Sequence, residues 1–154
     1  MSTRCVLWAT DFSESSKQAL TWAEALAHHV GAQLVMLHVE PGQPTTEFGA
    51  IYKGLPDPDI AEVAHNLAQI LPSKPGLNYE HRIRAGDPIE QILAEAHERD
   101  AVAIVLGSHG RTGVRRMLLG SVADGVLRKA LCPVMICKMP PTDDSDEDFT
   151  ATTN

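Results

Sequence analysis

The sequence of 154 residues lacks the features that mark several classes of protein. No apolar run reaches the roughly 18 residues that a transmembrane helix needs, and the first residues do not resemble a secretory signal. Basic residues are scarce, with 13 Lys and Arg against 20 Asp and Glu and a formal net charge of −7. Because nucleic acids and anionic membranes attract cationic surfaces, we expect neither as a general partner.

Cysteine is rare, with three residues at Cys5, Cys132 and Cys137. An odd number without C-x-x-C spacing argues against a disulfide framework and against a zinc cluster. Each cysteine lies within an apolar segment, where we expect a small buried side chain. This usage is typical of a reducing compartment, so we expect the protein to be cytoplasmic.

Short apolar runs alternate with segments of helical periodicity along the chain. The apolar runs predict five buried strands, and the periodic segments predict four helices between them. Parallel strands need helical crossovers, so the alternation favours one parallel sheet with helices on both faces. The predicted strands are 5–9, 34–39, 77–83, 101–106 and 134–136, and the predicted helices are 15–30, 60–71, 88–96 and 122–130.

Capping signals mark the ends of two helices. Ser15 followed by Gln18 is typical of a capping box at the start of the first helix, and Gly31 is suited to its end. Asp87 followed by Pro88 predicts the start of the third helix. Aspartate caps free N–H groups there, and proline needs no N–H partner in the first turn.

Two segments do not fit the alternation. Residues 40–58 contain several prolines and glycines and predict a long loop. Residues 140–154 contain five acidic residues without apolar periodicity, which predicts a disordered acidic tail. The sequence therefore predicts one domain over residues 1–139, followed by a tail.

Two loops lie where an open parallel sheet binds ligands, at the carboxyl ends of strands where the strand order reverses. The loop after the first strand contains Thr10 and Asp11. We interpret Asp11 either as a ligand contact or as a turn residue. The loop after the fourth strand begins at Gly107 and reaches the fourth helix at Gly120 and Ser121.

The second loop has the parts of an anion cradle. Gly107, Gly110 and Gly120 permit positive φ angles and close backbone approach. Ser121 is placed to cap the fourth helix or to donate to a phosphate oxygen, and the helix N-terminus and Arg111 add positive charge. The loop matches neither G-x-x-x-x-G-K-[ST] nor G-x-G-x-x-G, so glycines that only shape a turn are an alternative at this stage.

The segment 107–123 resembles the C-terminal signature of the universal stress protein family. Nucleotide-binding members carry a glycine, two residues, a glycine, nine residues, and then glycine with serine or threonine, and this sequence has every fixed position. Further similarity at 10–13, 37–39 and 86–88 extends the resemblance over residues 3–139. It implies a five-stranded parallel sheet of order 3-2-1-4-5, of the adenine nucleotide alpha hydrolase-like type.

The resemblance also implies a ligand and the residues that bind it. The ligand is ATP, with Mg or Mn associated with its phosphates. Backbone N–H groups of the glycine loop would hold the phosphates and ribose, Asp11 would lie at the nucleoside end, and Val39 would offer its backbone to the adenine edge. The implied nucleotide-binding residues are Ala9, Thr10, Asp11, Val39, Leu106, Gly107, Gly110, Arg111, Gly120, Ser121, Val122 and Ala123.

No catalytic residue is predicted. We interpret His109 as a phosphate contact or as a solvated loop residue, and we do not expect Ser108 to point toward it, because neighbours in sequence rarely face each other. The prediction is a nucleotide-dependent regulator or interaction module in the stress response. The alternative is a slow ATPase or a phosphoryl- or adenylyl-transfer enzyme that uses the same site. The resemblance also implies a homodimer through the strand 132–138, whose apolar edge invites pairing.

Overall fold

A computed structural model describes residues 3–42, 58–109 and 119–139. Five strands alternate with four helices in these residues, as the hydrophobic periodicity predicts. The strands are β1 Cys5–Ala9, β2 Gln33–Glu40, β3 Tyr79–Ala85, β4 Ala101–Gly107 and β5 Val134–Cys137, and the helices are α1 Glu14–Val30, α2 Pro58–Ala68, α3 Pro88–Glu98 and α4 Ser121–Lys129.

All paired strands are parallel, and their order in the sheet is β3-β2-β1-β4-β5. This confirms the predicted fold class and the implied order 3-2-1-4-5. The chain moves from β1 to β2 and β3 on one side, then crosses to β4 and β5 on the other. The strand order therefore reverses between β1 and β4, and the carboxyl ends of these strands form the switch point at which such sheets bind ligands.

One face of the sheet is covered by α1. Its alanine stripe, Ala19, Ala23 and Ala27, packs in one cluster with Trp8 and Met36. These small side chains recur every four residues on one side of the helix, so the helix backbone approaches the sheet closely. The indole of Trp8 is fully buried and donates from Nε1 to a backbone carbonyl oxygen of α1 at 2.9 Å.

The opposite face is covered by α3 and α4. Ile92 and Val126 from these helices pack in one cluster with Leu7 and Leu37 of the central strands. Every residue of β1 is buried, because the strand has neighbours on both edges and helices on both faces. A strand in this position needs apolar residues on both faces, which explains its continuous apolar run.

Some element ends differ from the prediction. The N-cap of α1 is Ser13, whose side chain accepts a hydrogen bond from the Ser16 N–H, so the predicted capping box at Ser15 is wrong. Helix α2 ends at Ala68 and β3 begins at Tyr79, both inside the predicted limits. Residues between these elements, such as Ile70 and Leu77, still pack against the core. The apolar pattern therefore indicates buried residues, and these continue beyond the ends of the regular helix and strand.

Two predicted helix ends are confirmed. Gly31 ends α1 with φ of 67°, a left-handed conformation that is easy for a residue without Cβ. The Asp87 carboxylate caps α3 by accepting from the Glu90 N–H at 2.9 Å, and Pro88 occupies the first turn.

The predicted loop 40–58 lies mostly outside the described residues, and the predicted tail 140–154 lies wholly outside them. The division into one domain and a tail therefore stays a prediction. Within 3–42, 58–109 and 119–139, no helix is both long and apolar enough to cross a membrane.

The three cysteines are free thiols. Cys5 and Cys137 are buried and Cys132 is half-buried, close to the expectation. Burial raises the pKa of Cys5 to about 11 and also raises the pKa values of Cys132 and Cys137. The thiolate is the reactive form, so the raised pKa values disfavour thiol reactivity near neutral pH.

The edge strand β3 is held to α3 by charged side chains. The carboxylate of Glu95 on α3 is 1% exposed and lies 2.6 Å from Nη1 of Arg84 and 2.7 Å from Nε of Arg99. Nε of Arg82 lies 3.3 Å from the same carboxylate. Three guanidinium groups thus surround one buried carboxylate, which balances the charge that burial would otherwise leave uncompensated.

Two further carboxylates complete this arginine–glutamate network. Glu80 of β3 accepts two hydrogen bonds from Arg99, at 2.8 and 2.9 Å, and Glu98 accepts from Arg84 at 3.0 and 3.3 Å. The hydrogen bond from Arg99 lowers the pKa of Glu80, and that from Arg84 lowers the pKa of Glu98. Both carboxylates therefore stay ionised at pH values below their ordinary pKa.

The other edge strand, β5, consists of four apolar residues. The carbonyl oxygens of Pro133 and Cys137 accept from the N–H groups of Ile104 and Ser108 on the β4 side. Backbone groups alternate in direction along a strand, so Val134 and Ile136 direct their N–H and C=O groups away from β4.

Candidate functional site

A crevice of about 400 Å³ lies at the carboxyl ends of the central strands, at the switch point of the sheet. It is lined by ten of the twelve residues that the sequence predicts for nucleotide binding. Gly110 and Arg111, the other two, lie outside the described residues. The predicted residues that line the crevice are Ala9, Thr10, Asp11, Val39, Leu106, Gly107, Gly120, Ser121, Val122 and Ala123.

The loop between β1 and α1 is fixed by its own polar side chains. Thr10 Oγ1 accepts from the Phe12 N–H at 3.0 Å, and Asp11 Oδ1 accepts from the Ser13 N–H at 3.0 Å. Asp11 is therefore a turn residue that also lines the crevice, and its contact with a ligand stays a prediction. Phe12 has φ of 64°, a left-handed conformation that is strained for a residue with a side chain. The surrounding hydrogen bonds hold the loop in this conformation.

His38 is a crevice residue that the sequence analysis did not assign to the site. It is buried, with Nδ1 2.7 Å from the Thr10 carbonyl oxygen and Nε2 3.2 Å from Oε2 of Glu40. Its ring also contacts that of Phe12, with centroids 4.6 Å apart. His38 thus connects the end of β2 to the loop after β1. His38 and Glu40 occupy positions i and i+2 of a strand and share one face, which was the available signal for their pairing.

Gly107 ends β4 where the strand meets the first turn of α1. A Cβ on this residue would lie 2.5 Å from Ser15 Oγ, 2.6 Å from the Ser15 carbonyl carbon and 2.7 Å from the Ser16 nitrogen. The predicted need for glycine is thus supported, but a positive φ angle is not its cause. Glycine is required because the backbones of β4 and α1 approach closely, which forms a firm floor for the crevice.

The N-terminus of α4 borders the crevice opposite β2. Gly120 is the N-cap, with φ −66° and ψ 159°, and no side chain caps the helix, so the predicted cap by Ser121 is wrong. Ser121 is instead the first helical residue. The N–H groups of Ser121, Val122 and Ala123 have no intrahelical acceptor, as in the first turn of any helix, and all three residues line the crevice. This arrangement favours an anion.

Ser108 and His109 form a hydrogen-bonded pair at the crevice. Ser108 Oγ lies 2.9 Å from Nδ1 of His109, and the His109 backbone N–H donates to Ser15 Oγ at 3.3 Å. The prediction that these neighbours do not face each other is therefore wrong. Ser108 is fully buried, and a buried hydroxyl group needs a partner, which the adjacent ring supplies. The contact with the serine hydroxyl group orients the imidazole.

The residues of the crevice do not form a metal centre on their own. Within the part of the chain that the structure describes, no group of three or more His, Cys, Asp or Glu side chains is placed to hold a metal ion. The ten predicted residues contribute a single carboxylate, that of Asp11.

A second cavity, of about 520 Å³, lies at the other end of the sheet, beside the start of β4. Apolar residues such as Leu93, Ile104 and Leu131 line most of it, and Lys129 and Asp100 contribute charges. It lies at the C-termini of α3 and α4, where the helix dipole disfavours phosphate. The crevice at the carboxyl ends of the strands is therefore the better candidate for an anionic ligand.

Comparisons with known proteins agree with this architecture. The universal stress protein YxiE of Bacillus subtilis is 32% identical over 146 residues, covering 86% of this chain and 97% of that protein. The solved structure of MJ0577 from Methanocaldococcus jannaschii is similar with a TM-score of 0.75 and 27% identity, covering 92% of this chain and 100% of that one.

A universal stress protein from Archaeoglobus fulgidus, solved in complex with dAMP, is similar with a TM-score of 0.62 and 26% identity, covering 90% of this chain and 100% of that one. Residues 3–138 of this chain match the sequence profile of the universal stress protein family. The profile spans every strand and helix described above, together with the crevice residues. The chain therefore belongs to the universal stress protein family.

Proposed function

We propose that this protein binds ATP in the crevice and acts as a nucleotide-dependent regulator or interaction module in the stress response. The observation that carries the proposal is that ten predicted residues, from separate parts of the chain, line one crevice at the switch point of the sheet. The dAMP complex of the Archaeoglobus fulgidus relative supports an adenine nucleotide as the ligand class.

The crevice suits a nucleotide in size and in the distribution of polar groups. A volume of about 400 Å³ falls in the usual range for small-molecule sites. The N–H groups of the first turn of α4 would hold the phosphates. Val39 and Leu106 at the strand ends, with Ile92 of α3, provide buried apolar surface where a purine ring would pack.

A divalent cation, Mg²⁺ or Mn²⁺, would enter this site with the nucleotide. Such ions take oxygen ligands and commonly bind substrate phosphates together with one or two carboxylates. Asp11, the carboxylate among the predicted residues that line the crevice, is expected at the nucleoside end, so the ion would be held through the ATP phosphates. The ion would neutralise part of the phosphate charge.

We expect any ATP hydrolysis to be slow. The hydroxyl group of Ser108 is buried against His109, so this pair does not present an exposed nucleophile. Measured turnover of ATP should therefore remain well below about 1 per second, the lower range of ordinary enzymes. Faster turnover would favour the alternative of an ATPase or a phosphoryl- or adenylyl-transfer enzyme.

We also propose a cytoplasmic homodimer that pairs through the strand 132–138. The free thiols and the absence of any disulfide among the three cysteines suit a reducing compartment. The outward backbone groups of Val134 and Ile136 provide an apolar edge for pairing with a second copy.

The Gly120→Val substitution tests the nucleotide site. Gly120 has a φ angle of −66°, which valine also adopts, so the substitution adds side-chain bulk at the phosphate end without imposing left-handed strain. Gly42→Val is the matched control, because a Cβ there meets no described atom within 4 Å. ATP affinity should fall at least about tenfold in Gly120→Val and remain unchanged in Gly42→Val, as measured by isothermal titration calorimetry.

Nucleotide released from the purified protein identifies the bound species independently. Denaturation followed by chromatography should yield adenine nucleotide. Equal ATP affinity of the wild type and Gly120→Val would contradict the assignment of phosphates to the α4 end.

A further inference from the structure

Large apolar side chains are exposed around one edge of the sheet. Seven such side chains are exposed in the part of the chain that the structure describes. Two of them flank β5 in the sequence, Leu131 before the strand and Met139 after it. Two more, Trp22 and Leu127, lie on the helices that cover the two faces of the sheet beside β5, α1 and α4. The contacts of α1 and α4 show which way these two side chains project.

The side of α1 that carries Trp22 faces the β5 edge. Helix α1 extends across the sheet as far as β5, which it contacts. On its other side, the carboxylate of Glu24 accepts from the Ser73 N–H at 3.1 Å and from the Ser73 hydroxyl group at 2.6 Å. Ser73 lies in the segment that leads from α2 into β3, so Glu24 marks the side of α1 nearest the β3 edge. Two residues span about 200° of a helix, so Trp22 projects from the opposite side, toward β5.

The side of α4 that carries Leu127 also faces this edge. A Cβ on Gly125 would collide with Ile89 of α3, so Gly125 marks the side of α4 that packs against α3. Leu127 is two residues further along and projects from the opposite side, away from α3. Because α4 contacts α3 on one side and covers β5, the side that carries Leu127 lies above the β5 edge.

The β5 edge therefore presents three apolar layers. Trp22 belongs to the α1 layer, β5 with its outward backbone groups is the sheet layer, and Leu127 belongs to the α4 layer. A single peptide strand added to β5 would cover the middle layer and leave both helix layers in water. A second copy of the chain has the same three layers and covers all of them at once, in a contact that uses the same surface on both copies.

We infer that the self-association surface extends from β5 onto both helix layers, with Trp22 as its anchor. The inference rests on the proposed homodimer and deepens it by naming side chains outside the strand that join the two copies. An indole ring that a partner removes from water contributes strongly to association, and tryptophan is enriched among such anchors. The second copy also removes from water the apolar surface that Trp22 and Leu127 expose on one chain.

The first test measures the dissociation constant of the dimer by sedimentation velocity over a dilution series. Trp22→Ser should raise this constant at least about 30-fold, and Leu127→Ser about tenfold. Leu71→Ser is the matched control, because Leu71 and Trp22 are both 60% exposed but Leu71 lies just after α2, on the β3 side. It should leave the constant unchanged. Circular dichroism should show the wild-type fold in all three variants, and an unchanged constant in Trp22→Ser overturns the inference.

Fluorescence reports on the indole ring itself. The chain has two tryptophans, and Trp8 is fully buried, so a change of emission on association reports Trp22. Dilution of the wild type through the dissociation constant should move the emission maximum to longer wavelength, because water then reaches the ring of Trp22. Trp22→Phe keeps an aromatic ring and should remain dimeric, but without this shift. Dissociation of the wild type without a shift overturns the role of Trp22 as anchor.

Ile136→Pro separates this inference from the proposed strand pairing, because it removes an outward N–H of β5 and leaves both helix layers intact. If Ile136→Pro is monomeric and Trp22→Ser remains fully dimeric, the strand pairing stands and the inference falls. If Trp22→Ser is monomeric and Ile136→Pro remains dimeric, the helix layers join the copies and the strand pairing falls. A wild type that is monomeric at every concentration overturns both.

Discussion

The two edge strands of the sheet, β3 and β5, carry different kinds of side chain. At β3, charged side chains form the arginine–glutamate network with α3 around the buried carboxylate of Glu95. At β5, four apolar residues end the sheet, and alternate backbone groups point outward. Charges on an edge strand disfavour pairing with another copy, whereas an apolar edge permits it. The charged network ties β3 to α3 within one chain, and β5 is the edge that the proposed homodimer would use.

The largest expected effect comes from removing the centre of the network. Glu95→Ala leaves three guanidinium groups without their shared carboxylate, and we expect a loss of about 3–5 kcal/mol in the free energy of unfolding. The measurement is urea denaturation at neutral pH. Asp124→Ala is the matched control, because it breaks the exposed Asp124–Arg128 pair and should cost under about 1 kcal/mol. Equal losses in the two variants would show that the buried carboxylate has no special role at the β3 edge.

A smaller effect on stability, but a clear one on assembly, is expected at β5. Ile136→Pro removes an outward N–H without touching the hydrogen bonds to β4, and proline is tolerated on edge strands. Sedimentation velocity should show the wild type at twice the chain mass of 16.7 kDa and Ile136→Pro at that mass. Ile136→Val keeps the N–H group and should remain dimeric. A dimeric Ile136→Pro protein would place the interface elsewhere.

The smallest expected effect is on the pH dependence of stability, at the outer part of the arginine–glutamate network. The pKa of Glu80 is lowered by the hydrogen bond from Arg99, so its stabilising contribution is present above the ordinary value of 4.5 and is lost as the pH falls below that value. Because Glu80 is 36% exposed, we expect Glu80→Gln to cost under about 1 kcal/mol at neutral pH. Urea denaturation at a series of pH values should show the wild type and the variant converging in acid. A difference that is constant with pH would contradict this assignment.

The fold was predictable because burial leaves a different pattern of apolar residues in a strand and in a helix. The central strand β1 needs apolar residues on both faces, so it appears in the sequence as an uninterrupted apolar run. The helices show apolar stripes, because only one side of each packs on the sheet. The order of the strands came from the family resemblance, since periodicity does not specify which strands are neighbours. The comparisons confirm both the family and the fold.

The details that the sequence did not predict depend on contacts between distant residues. Ser13 and Ser15 are both plausible caps by residue type; Ser13 caps α1, and Ser15 Oγ instead accepts from the His109 N–H, 94 residues away in the chain. Similarly, His38 in a strand is compatible with a simple core residue. Its role at the crevice depends on the Thr10 carbonyl, 28 residues away in the chain.

The burial of β1 also determines how the crevice behaves when the molecule fluctuates. Thr10 follows this strand and donates its N–H to the Leu37 carbonyl oxygen at 2.9 Å, so the ladder continues to the crevice floor. Amide groups at the centre of a fully covered sheet exchange their hydrogens with solvent only when the whole domain opens. The floor of the crevice therefore persists through the partial openings that detach an edge strand or fray a helix end. A ligand seated on it stabilises the most protected unit of the molecule, so its binding is linked to global rather than local unfolding.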